Sequence, residues 1–165
     1  ETKSANNFIG TKKLFFENLP AINLNNFPVY KITDLISRYL ENIKPEIVLI
    51  PSINDIHDDH KIIFKSAKVS LRPNKITSIK KILSYEVLSE TEWNEEGKLF
   101  NPNYFVSLTK NDINRKVKAF LKYKSQIKKF PHSRSLESIK NLAKTRGASI
   151  NTDYAESFVL VRMII

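Results

Sequence analysis

A chain of 165 residues with 41% hydrophobic and 27% charged side chains is long enough to bury one substantial core, and too apolar to remain disordered. The absence of cysteine excludes disulfides and thiolate metal sites, and no apolar run approaches the roughly 20 residues that span a bilayer. A formal net charge of +10 invites an anionic partner, but the excess is lysine scattered over Lys12-Lys13, Lys80-Lys81 and positions 116–129 without an RNA-binding signature, so it reads as a solvated face rather than a nucleic-acid surface.

Residues 2–9 place Ala5, Phe8 and Ile9 on one face of a helix, and Gly10 suits a left-handed cap at its end. Residues 14–16 predict a strand, and residues 18–27, rich in Asn and carrying Pro20, predict a loop. Beyond Pro28, Ile32, Leu35, Ile36, Tyr39, Leu40 and Ile43 recur at helical spacing until Lys44-Pro45 ends the pattern. Residues 46–50 (EIVLI) predict a short strand whose nearly continuous apolar run implies helices on both faces of a parallel sheet. The next helix turns Ile62, Ile63, Ala67 and residues 69–71 inward and ends near Arg72-Pro73.

Further strands are expected at 81–87, 104–108 and 157–163, with a long polar loop at 89–103. Thr109 is a plausible N-cap for a helix reaching about residue 125, which turns Ile113, Val117, Phe120 and Leu121 inward. The last helix spans about 135–145 and is closed by Arg146-Gly147. Strands alternating with helices indicate an α/β fold. No internal repeat or low-complexity tract interrupts the chain, so one domain is expected over residues 1–165.

The densest chemistry falls in residues 54–60 (NDIHDDH), which hold two of the three histidines and three carboxylates between a predicted strand and a predicted helix. Open α/β sheets bind ligands at that edge. Imidazole is the commonest side-chain ligand for zinc, and Asp55, Asp58 or Asp59 could accept the second ring N–H of a ligating histidine. An acidic loop capping a helix explains the same spacing equally well. Two histidines do not close a zinc site, which needs at least one more protein ligand.

The run PSINDIHDDHKIIFKSA resembles the D-x-H-x-D-H signature of the LmbE/PIG-L family of zinc-dependent N-deacetylases. The similarity continues through Tyr85-Glu86, residues 89–93 (SETEW) and residues 100–105 (FNPNYF), then through Lys116 to Ser125-Gln126. It ends with Arg134-Ser135 and Glu137, Arg146-Gly147, and Tyr154-Ala155-Glu156 with Phe158. This resemblance implies a Rossmann-like three-layer α/β/α fold with a mostly parallel sheet, and hydrolysis of an N-acetylglucosamine-type amide with one Zn2+.

By the same resemblance His60 is a zinc ligand, His57 stabilises the oxyanion or protonates the leaving amine, and Asp59 orients His57. Asp55 contacts substrate or holds its loop, and Asp58 is a capping residue. His132 reads as a surface histidine. Gln126 and Arg134 fall in family-like blocks, where substrate contact and a structural hydrogen-bond network are equally good readings. Trp93 either stacks on a sugar ring or anchors its loop in the core, and its size favours the anchor.

The family's H-P-D-D motif, which brings two further zinc ligands and the general base, is absent. With Glu1 at the start and Met163 as the one methionine, the expectation is an N-terminally incomplete chain, inactive alone and lacking its first strand or strands. The partner is then an N-acetylated sugar or glycoconjugate, with no nucleic acid and no integral membrane segment. A homo-oligomer is allowed, and the compartment is cytoplasmic by analogy. The rival readings are a noncatalytic carbohydrate-binding or assembly relative and a basic nucleic-acid-binding domain.

Overall fold

Short strands form where β-branched and aliphatic residues cluster, and helices form where apolar residues recur every three to four positions. The computed structural model of the chain describes residues 1–73, 77–94, 97 and 99–165. Together they make a mixed α/β fold whose four-stranded sheet has the order β1-β2-β4-β3, with β1 at Ile47–Pro51, β2 at Lys81–Tyr85, β3 at Tyr104–Leu108 and β4 at Tyr154–Met163. The chain divides into two compact units.

One unit comprises Asn18–Tyr104 and Phe158–Ile165. Here β1 runs parallel to β2, placing Pro51 beside Tyr85, while β4 runs antiparallel to β2 with Tyr85 opposite Phe158. The register jumps between Ile82, which faces Arg162, and Leu83, which faces Leu160, so Val161 is the extra residue of a β-bulge. Helix α2 (Val29–Ile43) and helix α3 (Asp58–Ser70) pack on one sheet face. Their Leu40, Phe64 and Ala67 join Ile50, Leu71, Ile79 and Ile82 in a buried cluster. Ser70 Oγ donates to the Thr33 carbonyl at 2.9 Å, tying the two helices together.

The other unit comprises Glu1–Glu17 and Phe105–Ser157. It holds α1 (Thr2–Ile9), α4 (Lys110–Phe120) and α5 (Leu136–Ala148). Gly10 takes φ 88° and ends α1 in the left-handed conformation that its missing Cβ allows. Thr109 and Asp112 form a reciprocal capping box on α4, and Ser135 accepts the Ser138 amide at the start of α5.

Several boundaries differ from the sequence expectation. Residues 14–16 form no strand; their side chains are about half exposed, and Lys3 lies over the Phe16 ring at 5.8 Å. Strand propensity is local, whereas a strand forms only where a neighbouring edge pairs with it. Helix α3 ends at Ser70 and α4 at Phe120, both earlier than expected. Helix α5 runs through Gly147 rather than stopping before it. A Cβ there would lie 2.5 Å from the Thr152 carbonyl, so this glycine serves close packing within a helix.

Apolar cover on both faces of β1 is not met either. Ile50 is buried, but Ile47 and Leu49 are 54% and 52% exposed on the alternate face of this terminal strand of the sheet order. Among the described residues no helix is long and apolar enough to cross a membrane.

Candidate functional site

Strand β1 delivers the chain to Pro51 at its carboxyl end, and a turn then reverses it into α3. Ser52 shapes the turn: its Oγ accepts the Asn54 amide at 3.1 Å and its carbonyl accepts the Asp55 amide at 3.4 Å. Asp55 is driven fully inside, with 0% exposure. Burial of a carboxylate is costly unless donors surround it, and three do. Its oxygens accept the His57 amide at 3.2 Å, His60 Nδ1 at 2.8 Å and Thr91 Oγ1 at 3.5 Å.

That second contact decides the state of His60. With the Asp55 oxygen accepting at 2.8 Å, Nδ1 carries the hydrogen, and in the neutral ring the lone pair sits on Nε2. The hydrogen bond to Asp55 raises the pKa of His60, partial burial opposes it, and the charges of Asp55, Glu90 and Asp59 add to the rise. A carboxylate holding Nδ1–H, with Nε2 left without a hydrogen-bond partner among the described residues, is the arrangement that orients and strengthens an imidazole as a metal ligand.

His57 has the opposite polarity. It is the N-cap of α3, and its Nδ1 accepts the Asp59 amide at 3.2 Å. A neutral ring accepting at Nδ1 carries its proton on Nε2. The two imidazoles stack with centroids 4.9 Å apart and planes 20° from parallel. The pair therefore presents one nitrogen lone pair and one N–H donor from neighbouring rings.

Asp59 does reach His57, but through its backbone N–H. Its carboxylate instead accepts the amides of Ile22 at 2.6 Å and Leu24 at 3.0 Å, fastening the Asn-rich loop to the first turn of α3. Ile22 there adopts φ 64°, a conformation that β-branched residues rarely take, and its side chain is 82% exposed. Asp58 is the first residue of α3 rather than its cap and pairs with Lys61 at 3.4 Å.

Trp93 is 68% exposed at the end of a 3-10 turn, Thr91–Trp93, so it is not the core anchor that its size suggested. The buried member of that turn is Thr91, which both donates toward Asp55 and accepts the Val87 amide at 2.7 Å. Gln126 and Arg134, both in the other unit, bind each other: Arg134 Nη1 donates to Gln126 Oε1 at 2.8 Å. His132 lies on the surface, as expected, and accepts the Arg134 amide.

Two neighbours of the site, Thr91 and Tyr85, escaped residue-by-residue reading. Burial, and secondarily the charge of Asp55, raises the pKa of the Tyr85 phenol. Both residues stand inside the quoted blocks 85–86 and 89–93, but only the sheet brings them beside a motif about 30 positions earlier. Among the described residues no group of three or more histidine or carboxylate side chains is placed to hold a metal ion. His60 is the residue of this site with the donor chemistry of a ligand supported by a buried carboxylate.

No family model and no curated protein matches this chain. Solved structures share its fold. The conserved protein TT1542 of Thermus thermophilus superposes with a TM-score of 0.76 at 20% identity, covering 99% of this chain and 72% of its own. For N,N'-diacetylchitobiose deacetylase of Pyrococcus horikoshii the score is 0.68 at 21% identity, over 96% of this chain and 61% of that one. The zinc-inhibited form of teicoplanin deacetylase Orf2 gives 0.62 at 17%, over 93% and 58%. The chain thus spans less than two thirds of the two deacetylases, and at these identities the likeness is one of fold.

Proposed function

We propose that this chain carries the histidine pair of a zinc-dependent N-deacetylase acting on an N-acetylated sugar or glycoconjugate. The observation behind this reading is the opposite polarity of the stacked rings at the carboxyl end of β1. His60 offers Nε2 to the metal, and Asp55 holds it in that tautomer. His57 offers Nε2–H to the carbonyl oxygen as negative charge develops there, or to the departing amine. Bound zinc would lower the pKa of a water molecule and polarise the amide carbonyl.

The other residues take supporting roles. Asp59 positions His57 by its amide and fixes the 22–24 loop by its carboxylate. Exposed Trp93 offers a flat apolar surface to a sugar ring. Gln126 and Arg134 hold one another by a hydrogen bond. The two deacetylases that share the fold support the reaction class, and the zinc-inhibited form of one supports the involvement of a metal in proteins of this fold.

The test is zinc content and acetate release from N-acetylglucosaminides, measured on the complete product of the gene and on its His60→Ala and His57→Ala variants. The expected result is one zinc and acetate release in the parent, loss of both in His60→Ala, and zinc retained without acetate release in His57→Ala. A His60→Ala protein that keeps its metal and activity removes the basis of the proposal.

A further inference from the structure

A concavity of about 280 Å3 lies at the opposite end of α3 from the histidines. Leu71, Ile82 and Val161 give it an apolar lining, and Lys68, Arg72 and Arg162 surround it with positive charge. Successive residues of a regular strand point to opposite faces, yet Val161 and Arg162 both line this one cavity. The bulge at Val161 accounts for that. It breaks the alternation at the point where β4 passes the end of α3, which is how bulges re-aim side chains beside binding sites.

Among the described residues no carboxylate pairs with Lys68, Arg72 or Arg162, whereas Lys61 pairs with Asp58 and Lys80 with Glu46. Lys68 and Arg72 suit the negative end of the α3 dipole, which explains two of the three cations without any ligand. Arg162 comes from β4 and has no such reason to be there. A concave, partly apolar wall concentrates the field of like charges, and two guanidinium forks match the paired oxygens of a carboxylate or phosphate.

We infer that this cavity binds a small anionic amphiphile, its carboxylate or phosphate head held by Arg72 and Arg162 and a short alkyl tail laid over Leu71, Ile82 and Val161. The volume lies at the small end of the range for ligand pockets, which limits the tail to a few carbons. This site is independent of the deacetylase reading, since its residues belong to the far end of the helix and take no part in that chemistry.

Titration calorimetry of the complete gene product with hexyl phosphate, hexanoate, inorganic phosphate and hexanol, at about 50 mM salt to limit screening, tests it. Hexyl phosphate or hexanoate should bind saturably, and at least about tenfold more tightly than inorganic phosphate or hexanol, because head and tail are both read. Arg72→Gln combined with Arg162→Gln should weaken binding at least about tenfold, whereas Lys140→Gln on α5 should leave it unchanged. Both arginines are exposed, so the double variant should keep its circular dichroism spectrum. Backbone amide shifts should appear at Leu71, Ile82 and Val161. No saturable binding, equal affinity for hexanol or for inorganic phosphate, an unaffected double variant, or shifts centred on His57 and His60 would each overturn the inference.

Discussion

The two ends of α3 solve opposite electrostatic problems. At the amino end Asp55, His57, Asp59 and His60 are each engaged by a partner inside the protein, and the second ring nitrogen of each histidine has no hydrogen-bond partner among the described residues. At the carboxyl end Lys68 and Arg72 meet Arg162 around a cavity, with no carboxylate among the described residues to pair with them. A site that performs chemistry must fix its groups before the substrate arrives. One that only binds can leave its counter-charge to the ligand.

The contrast breaks most severely at His60. His60→Ala should abolish zinc retention and reduce acetate release by at least about 100-fold, since removing a ligand exceeds the roughly 10- to 100-fold typical of losing its supporting partner. Asp55→Asn should show that smaller effect, about 10- to 100-fold in metal affinity, read by competition with a chelator. It should also destabilise the metal-free fold by about 1–3 kcal/mol in urea unfolding, because an amide cannot accept from all three donors that surround Asp55.

Asp59→Ala should cost about 1–3 kcal/mol by releasing the Ile22 and Leu24 amides. It should leave the tautomer of His57 intact, because the contact to that ring comes from the backbone. Amide hydrogen exchange should quicken at residues 22–24 and not at Asp55. At the far end, Lys68→Glu should weaken α3 by about 0.3–1 kcal/mol through the helix dipole, an effect that thermal unfolding would register as a small shift.

The pH dependence sharpens the same comparison. His60 has a higher pKa folded than unfolded, where it lies near about 6.5, so the folded protein holds the extra proton. The Asp55–His60 contribution to stability is therefore complete below the unfolded value and disappears as pH rises through the higher folded one. Metal-free wild-type protein should lose stability over that window. Asp55→Asn should lose less, and its His60 should titrate lower by NMR.

Much of this was legible in the residues themselves. The spacing of Ile32, Leu35, Ile36, Tyr39 and Leu40 announced α2, Thr109 announced the cap of α4, and the position of His57 and His60 between an apolar run and a helical pattern located the site. What escaped depended on contacts distant in sequence. Nothing local tells that the Asp59 carboxylate will take amides 35 and 37 positions earlier, or that Thr91 will brace Asp55 across 36 positions. Residues 14–16 look like a strand because propensity is local, yet a strand exists only where an edge pairs with it. Trp93 misled through size, since the short turn that buries Thr91 leaves its neighbour outside.

We propose that the two stacked histidines have opposite polarity and that His60 is the one that takes the metal. Long-range proton–nitrogen NMR of the imidazole rings, followed through a zinc titration of the complete gene product, tests it most directly. The expected result is a proton on Nδ1 of His60 and on Nε2 of His57 before zinc, followed by a metal-induced shift at Nε2 of His60 while His57 keeps its Nε2–H. A proton on Nδ1 of His57, or zinc shifting His57 and leaving His60 unchanged, would contradict it.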